Sequence, residues 1–172
     1  MARGKVNKDF AKLKKDFKEL EKLQVRVGYQ RGKTITKPTD ELTSEDVDMV
    51  DIAAWNELGT YNIPARPFLK QSVDNNKDEI EAFIKSELKS IGTKSPKQIL
   101  QRIGAKQKGV VQKTIRDGDF VPNAPITREG GWMKNQKSGK PFKVKGKGKN
   151  KTRPLKNTGQ LEQSVQYVIE EK

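Results

Sequence analysis

The residue types that carry most enzyme chemistry are missing from this chain. It holds neither His nor Cys. That removes disulfides, thiolate zinc sites, a cysteine nucleophile, and an imidazole to activate Ser or Thr. What remains is the chemistry of carboxylates, lysines and glycines. Asp46, Asp48 and Asp51 are candidates for a hard cation: on a helix, 48 and 51 share a face, whereas 46 and 48 do not. Acids also favour the positive end of a helix, and the group reads as a solvated acidic face at a helix start. Gly146-Lys147-Gly148-Lys149 has donors for a phosphate. It lacks the Walker spacing, the preceding strand and the following helix. The expectation is a protein that is not an enzyme and holds no cofactor or metal.

The other conspicuous residues are lysines. The chain has 172 residues and a formal charge of +14, from 36 Lys and Arg against 22 Asp and Glu. Ten of the basic residues fall between positions 134 and 156: Lys134, Lys137, Lys140, Lys143, Lys145, Lys147, Lys149, Lys151, Arg153 and Lys156. No acid separates Glu129 from Glu162. A run so poor in apolar residues cannot offset its ordering entropy. Residues 134–152 are therefore expected as a mobile or partner-ordered loop, not a folded piece. Two readings stand: a solvated loop that aids solubility, or contact with a polyanion, nucleic acid or an acidic protein surface. Trp132 and Phe142 alone are thin for a single-strand stacking platform.

Hydrophobic residues make up 32% of the chain, which allows a modest core within one domain. No apolar run nears the roughly 20 residues of a membrane span, and the first residues have no secretory pattern. A reducing cytoplasm, or something assembled there, is the expected setting.

The elements that would position these residues follow from periodicity. Phe10, Leu13, Phe17, Leu20 and Leu23 form one stripe on a helix over 7–24, with Asn7 as N-cap. Val25 to Tyr29 alternates as a short strand. Residues 30–45 read as loop, and 43–46 as a helix start. Val47, Val50, Ala54, Trp55 and Leu58 make the apolar face of a helix that ends at Gly59. Pro64 and Pro67 hold 60–67 extended. One helical pattern runs from Phe68 to Gly92, and another over 96–116, weakened by Gly104 and Gly109. Residues 117–131 read as loop, and 164–169 as a terminal strand. The sum is an α+β domain: a small, mostly antiparallel sheet packed by about four helices, with a long basic flexible loop. Two strands alone are marginal, so a third is expected in 30–45 or 120–145, or lent by a neighbouring subunit.

Three strings carry a resemblance. Ala53-Ala54-Trp55-Asn56-Glu57-Leu58-Gly59-Thr60, followed by Ile63-Pro64-Ala65-Arg66-Pro67-Phe68-Leu69, resembles the "aa.NEfGt…iPaRPFl" pattern of the HK97 gene-product-10-like tail proteins of tailed phages. Asn123-Ala124-Pro125-Ile126-Thr127 resembles that family's "lnaPsT". The run from Pro154 to Val165, with Leu155, Thr158, Gly159 and Leu161, resembles its "PLidTGqLrnSi". The order agrees, and the strings cover both halves of the chain. The Lys-Gly stretch at 134–152 departs from the family, which has only a short link there.

The resemblance implies a structural virion protein, assembled in the bacterial host cytoplasm. It would form a ring at the head-proximal end of the tail as a neck, tail-completion or head–tail joining subunit. The implied partners are further copies of itself, expected as a hexamer, the tail tube or terminator, and the adaptor or connector. The basic loop would face the tube wall, a neighbouring ring, or DNA in the channel. From charge alone, the competing reading is a small nucleic-acid-binding protein.

Among the motif residues, Asn56 and Glu57 are either solvated or bonded to the backbone of the Pro-rich linker. Arg66 is expected to pair with Glu57 in preference to facing a neighbouring subunit, and Phe68 to be core in preference to interface. Thr158 and Gly159 are expected to open a short helical piece.

Overall fold

In a computed structural model, the chain is described at residues 2–32, 35–36, 47–135, 138–146, 154–155 and 159–172, with side chains at all of these except 2–8, 35, 36 and 127. The fold is α+β. In chain order the elements are α1 (Ala2–Lys22), β1 (Leu23–Gly28), β2 (Ile35–Thr36), β3 (Val47–Asp48), α2 (Met49–Leu58), α3 (Phe68–Asp74), α4 (Lys77–Leu88), α5 (Pro96–Asp117), α6 (Pro125–Glu129), β4 (Gly130–Lys134), β5 (Pro141–Lys145), α7 (Gln160–Gln163) and β6 (Gln166–Glu171). The described strands pair antiparallel as β1 with β6, β2 with β3, and β4 with β5.

The early and late strands do find each other. Val25 lies opposite Ile169, and Val27 opposite Tyr167. Alternation puts these apolar residues on one face of the ribbon. On the other face, Glu170 accepts from Gln24 at 3.1 Å and pairs with Arg26 at 2.6 Å. Helix α5 covers the apolar face. Its start is fixed by a capping box between Ser95 and Gln98, with Pro96 in the first turn. Gly104 is the contact point: a Cβ there would sit 2.6 Å from the Tyr167 ring and 2.9 Å from Val25. Strands do form in both ranges expected to hold a third, β2 in one and β4 and β5 in the other, but among the described residues none of them joins this ribbon. The helix stabilises the pair instead.

The main core gathers Met49, Ala53, Phe68, Val111, Ile115, Phe120, Leu155, Leu161 and Val165. Phe68 is wholly buried and meets Tyr29 edge to face at 6.1 Å. Full burial of such a ring stabilises by roughly 1.5–3 kcal/mol.

Several expectations change. Leu23 opens β1 instead of ending α1. On α1, the buried position is Asp16, while Phe10 and Phe17 stay exposed. They lie on a flank of the helix that its packing against β1 and α5 does not cover. On α2, Met49 and Ala53 face inward, and Ala54, Trp55 and Leu58 face out. That helix is apolar all round, so periodicity could not fix its phase, and Val47 belongs to β3. The pattern from Phe68 to Gly92 breaks at Asn75–Asn76 into α3 and α4. Part of the expected loop 30–45 pairs as β2 with β3. Residues 125–134 are helix and strand, not loop. Lys134 and Pro141–Lys145 belong to a hairpin, so the basic stretch is partly folded.

Glu87, near the end of α4, is buried between Lys94 and Arg102, each at 2.9 Å. The Lys94 hydrogen bond, seconded by Arg102, holds its carboxyl below the usual glutamate range.

Candidate functional site

Two of the three strings that carry the resemblance meet at one side chain. Arg66 lies between Pro64 and Pro67, and the proline after it keeps its backbone extended. Its own amide donates to the Asn56 carbonyl at 2.6 Å, tying the linker to the end of α2. The guanidinium is buried. Its Nε donates to the Val121 carbonyl at 2.8 Å, and Nη2 to Asn123 Oδ1 at 3.0 Å. Longer bonds reach Asn56 Oδ1 and the Pro122 carbonyl, both at 3.3 Å. Burial lowers its pKa. The planar fork of Arg, with five donors, serves acceptors on two separate segments at once.

Arg66 does not pair with Glu57, contrary to expectation. Glu57 instead accepts from the backbone amides of Leu69 at 2.8 Å and Lys70 at 3.0 Å. These are the free amides of the first turn of α3. Pro67 stands at the N-cap with no side chain able to accept a bond, so a carboxylate from the preceding helix caps in its place. Asn56 completes the turn by donating to the Ile52 carbonyl at 2.8 Å. Gly59 lets the chain fold back here: φ is +78°, and a Cβ would lie 2.8 Å from the Ala65 amide.

The third string reaches the same place from the other side. Leu155 and Leu161 are core residues beside Phe68. Gly159, in the left-handed region, opens α7 as expected. Thr158 lies outside the described residues. The Tyr29 hydroxyl donates to the Leu161 carbonyl at 2.9 Å. Burial, helped by the negative charge of Glu57, raises the Tyr29 pKa.

Sequence reasoning gave no role to Asn123 or Tyr29 and missed the Val121 and Pro122 carbonyls. Pro122 and Pro125 were a signal: they flank a stretch before α6 in which the Val121 and Pro122 carbonyls lie outside helix and strand.

The carboxylates do not gather. Asp48 caps α2 through Val50 at 3.0 Å and also accepts from the Gly32 amide at 2.6 Å. These two backbone bonds lower its pKa, the Gly32 bond more. Asp51 pairs with Arg31 at 3.0 Å, and Asp46 lies outside the described residues. Among the described residues no group of acids could hold a metal, and no helix is long and apolar enough to cross a membrane. A groove of about 720 Å³ runs between α1, α5 and β6. Lys15, Lys18, Lys22 and Lys97 line it together with Glu19, Glu170 and Glu171.

Two kinds of surface remain open. Trp55, Leu58 and Tyr61 project from the end of α2 and the turn after it, with Tyr61 fully exposed. Phe10 and Phe17 project from α1. The hairpin β4–β5 carries Lys134, Lys143 and Lys145 in the open, with Lys140 at its turn. Lys137, Lys147, Lys149, Lys151 and Arg153 lie outside the described residues. Comparison with family models, curated proteins and solved structures returned no match.

Proposed function

We propose that this chain is a structural subunit of a tailed phage or phage-tail-like particle, building a ring at the head-proximal end of the tail. The observation that carries the proposal is the convergence on Arg66 and Phe68. Segments near positions 56–68, 123 and 155–161 resemble one family in order, and they form a single hydrogen-bonded and apolar joint. A chance resemblance of three short strings gives no reason for them to meet.

Surface chemistry adds support. Large apolar side chains lie exposed on two different elements, α1 and the end of α2. Two unlike patches suit head-to-tail contact, and head-to-tail contact closes into a ring when the rotation allows. Tail tube, terminator and adaptor proteins would be the neighbours.

The test is to purify tails from cells that make a tagged chain, count copies per particle and locate the tag. Several copies at the head-proximal end, with a closed-ring mass, are expected. Absence from tails, or one copy per particle, overturns the proposal.

A further inference from the structure

The β4–β5 hairpin has one side that the core does not cover. In its register Gly130 lies opposite Lys145, Trp132 opposite Lys143, and Lys134 opposite Pro141. Residues that face each other across an antiparallel pair share a side of the ribbon. Trp132, Lys134, Lys143 and Lys145 therefore line one side, and Met133, Phe142 and Val144 the other. Phe142 and Val144 are half-buried on the side toward α6, where Ile126 packs against Gly131. The first side is open: Trp132 is 70% exposed, and all three lysines are exposed. Among the described residues none of these lysines, nor Lys140 at the turn, pairs with a carboxylate. Close backbone packing fixes the base of the ribbon: a Cβ on Gly130 would lie 2.6 Å from the Gly146 amide.

A cationic side without one interspersed acid points to a uniformly anionic partner. An acidic protein patch complements such a side only locally, whereas a nucleic acid presents phosphates along its whole backbone. Lys143 and Lys145 stand two residues apart on one strand, about 6.7 Å at the usual rise. A two-stranded ribbon fits the major groove of a duplex, about 12 Å wide. A single aromatic is too few for a single-strand stacking platform.

We propose that the open side of the β4–β5 hairpin, Trp132 with Lys134, Lys143 and Lys145, is a sequence-independent contact for the phosphate backbone of duplex DNA. This rests on the hairpin alone and holds whether or not the chain belongs to a tail.

The test uses the full chain and a random-sequence duplex, with affinity measured by anisotropy against salt. Each phosphate contact adds about 0.9 to the slope of log affinity on log salt. The triple variant Lys134→Gln, Lys143→Gln, Lys145→Gln should lower that slope by about 2.7. The matching triple Lys→Arg variant should keep it, which separates lost charge from lost folding. Lys14→Gln, Lys15→Gln, Lys18→Gln on exposed positions of α1 removes the same net charge and should leave the slope nearly unchanged. In a Trp55→Phe background, DNA should alter the emission of Trp132. An equal slope loss in the α1 variant, equal displacement of the duplex by polyglutamate, or unaltered Trp132 emission overturns the proposal.

Discussion

Replacing Arg66 with Ala deletes four side-chain hydrogen bonds from the joint between α2, the Pro-rich linker and residues 121–123. The Nε bond to Val121 at 2.8 Å and the Nη2 bond to Asn123 at 3.0 Å are well formed, and the two at 3.3 Å are weaker. Bonds to a charged donor contribute about 1.5–3 kcal/mol each. Val121 and Pro122 are exposed, so water can reach their carbonyls once the side chain is gone. That return of solvent brings the net loss to about 2–4 kcal/mol. For a chain of this size, the melting midpoint should fall by roughly 5–15 °C. Arg66→Lys keeps the charge without the fork, and should recover less than half of the loss. Urea and thermal melts of the isolated subunit measure both variants. In a double-mutant cycle, Arg66→Ala should couple to Asn123→Ala and be additive with Glu57→Ala to within about 0.5 kcal/mol. A midpoint shift below about 2 °C, or full rescue by Lys, refutes the argument from the fork.

Glu57→Ala should cost about 1–2 kcal/mol by uncapping α3, with Glu57→Gln intermediate, and urea melts would read both. Gly104→Ala should destabilise by about 1–3 kcal/mol in the same assay, because its methyl meets the Tyr167 ring, although helix propensity alone favours Ala. Glu87 has a lowered pKa when folded, so its stabilisation is present above the usual glutamate pKa and lost as the pH falls. Melts from about pH 6 to 3 should therefore show a shallower acid decline for Glu87→Gln.

Much of the architecture was legible where a single local signal decided it. The period-two run at Val25–Val27, the helix start at residue 96 and the Gly59 stop all stand as read. Phe68 was placed correctly in the core. Failures came where local pattern was silent about what packs against it. Helix α2 is apolar on both sides, so only tertiary contact selects Met49 and Ala53. Gly104 looked like a weakness in α5 because its partners lie far away in sequence on β1 and β6. The hairpin was hidden by composition: its lysines suggested a loop, whereas alternation of Phe142 and Val144 with lysines is also a strand pattern with one shielded side. Arg66 was given the acid that closes the preceding helix, but the chain brings it three carbonyl-type acceptors 55 to 57 residues away.

The pairing of β1 with β6 also sets a clock during synthesis. Gln24 and its partner Glu170 are 146 residues apart. At about 5–20 residues per second, the ribosome needs roughly 7–30 s between the two strands. For that interval the pairing edge of β1 has no mate, and such edges recruit strands from other chains. Helix α5 emerges roughly midway, and its Gly104 face can seat on Val25 before Tyr167 exists. The apolar side of β1 is then covered early and only its hydrogen-bonding edge waits. Arg26, exposed on β1, keeps a charge beside that edge until Glu170 arrives. Slow translation late in the message should therefore lower the soluble yield, and a Gly104 variant that cannot seat should lower it further.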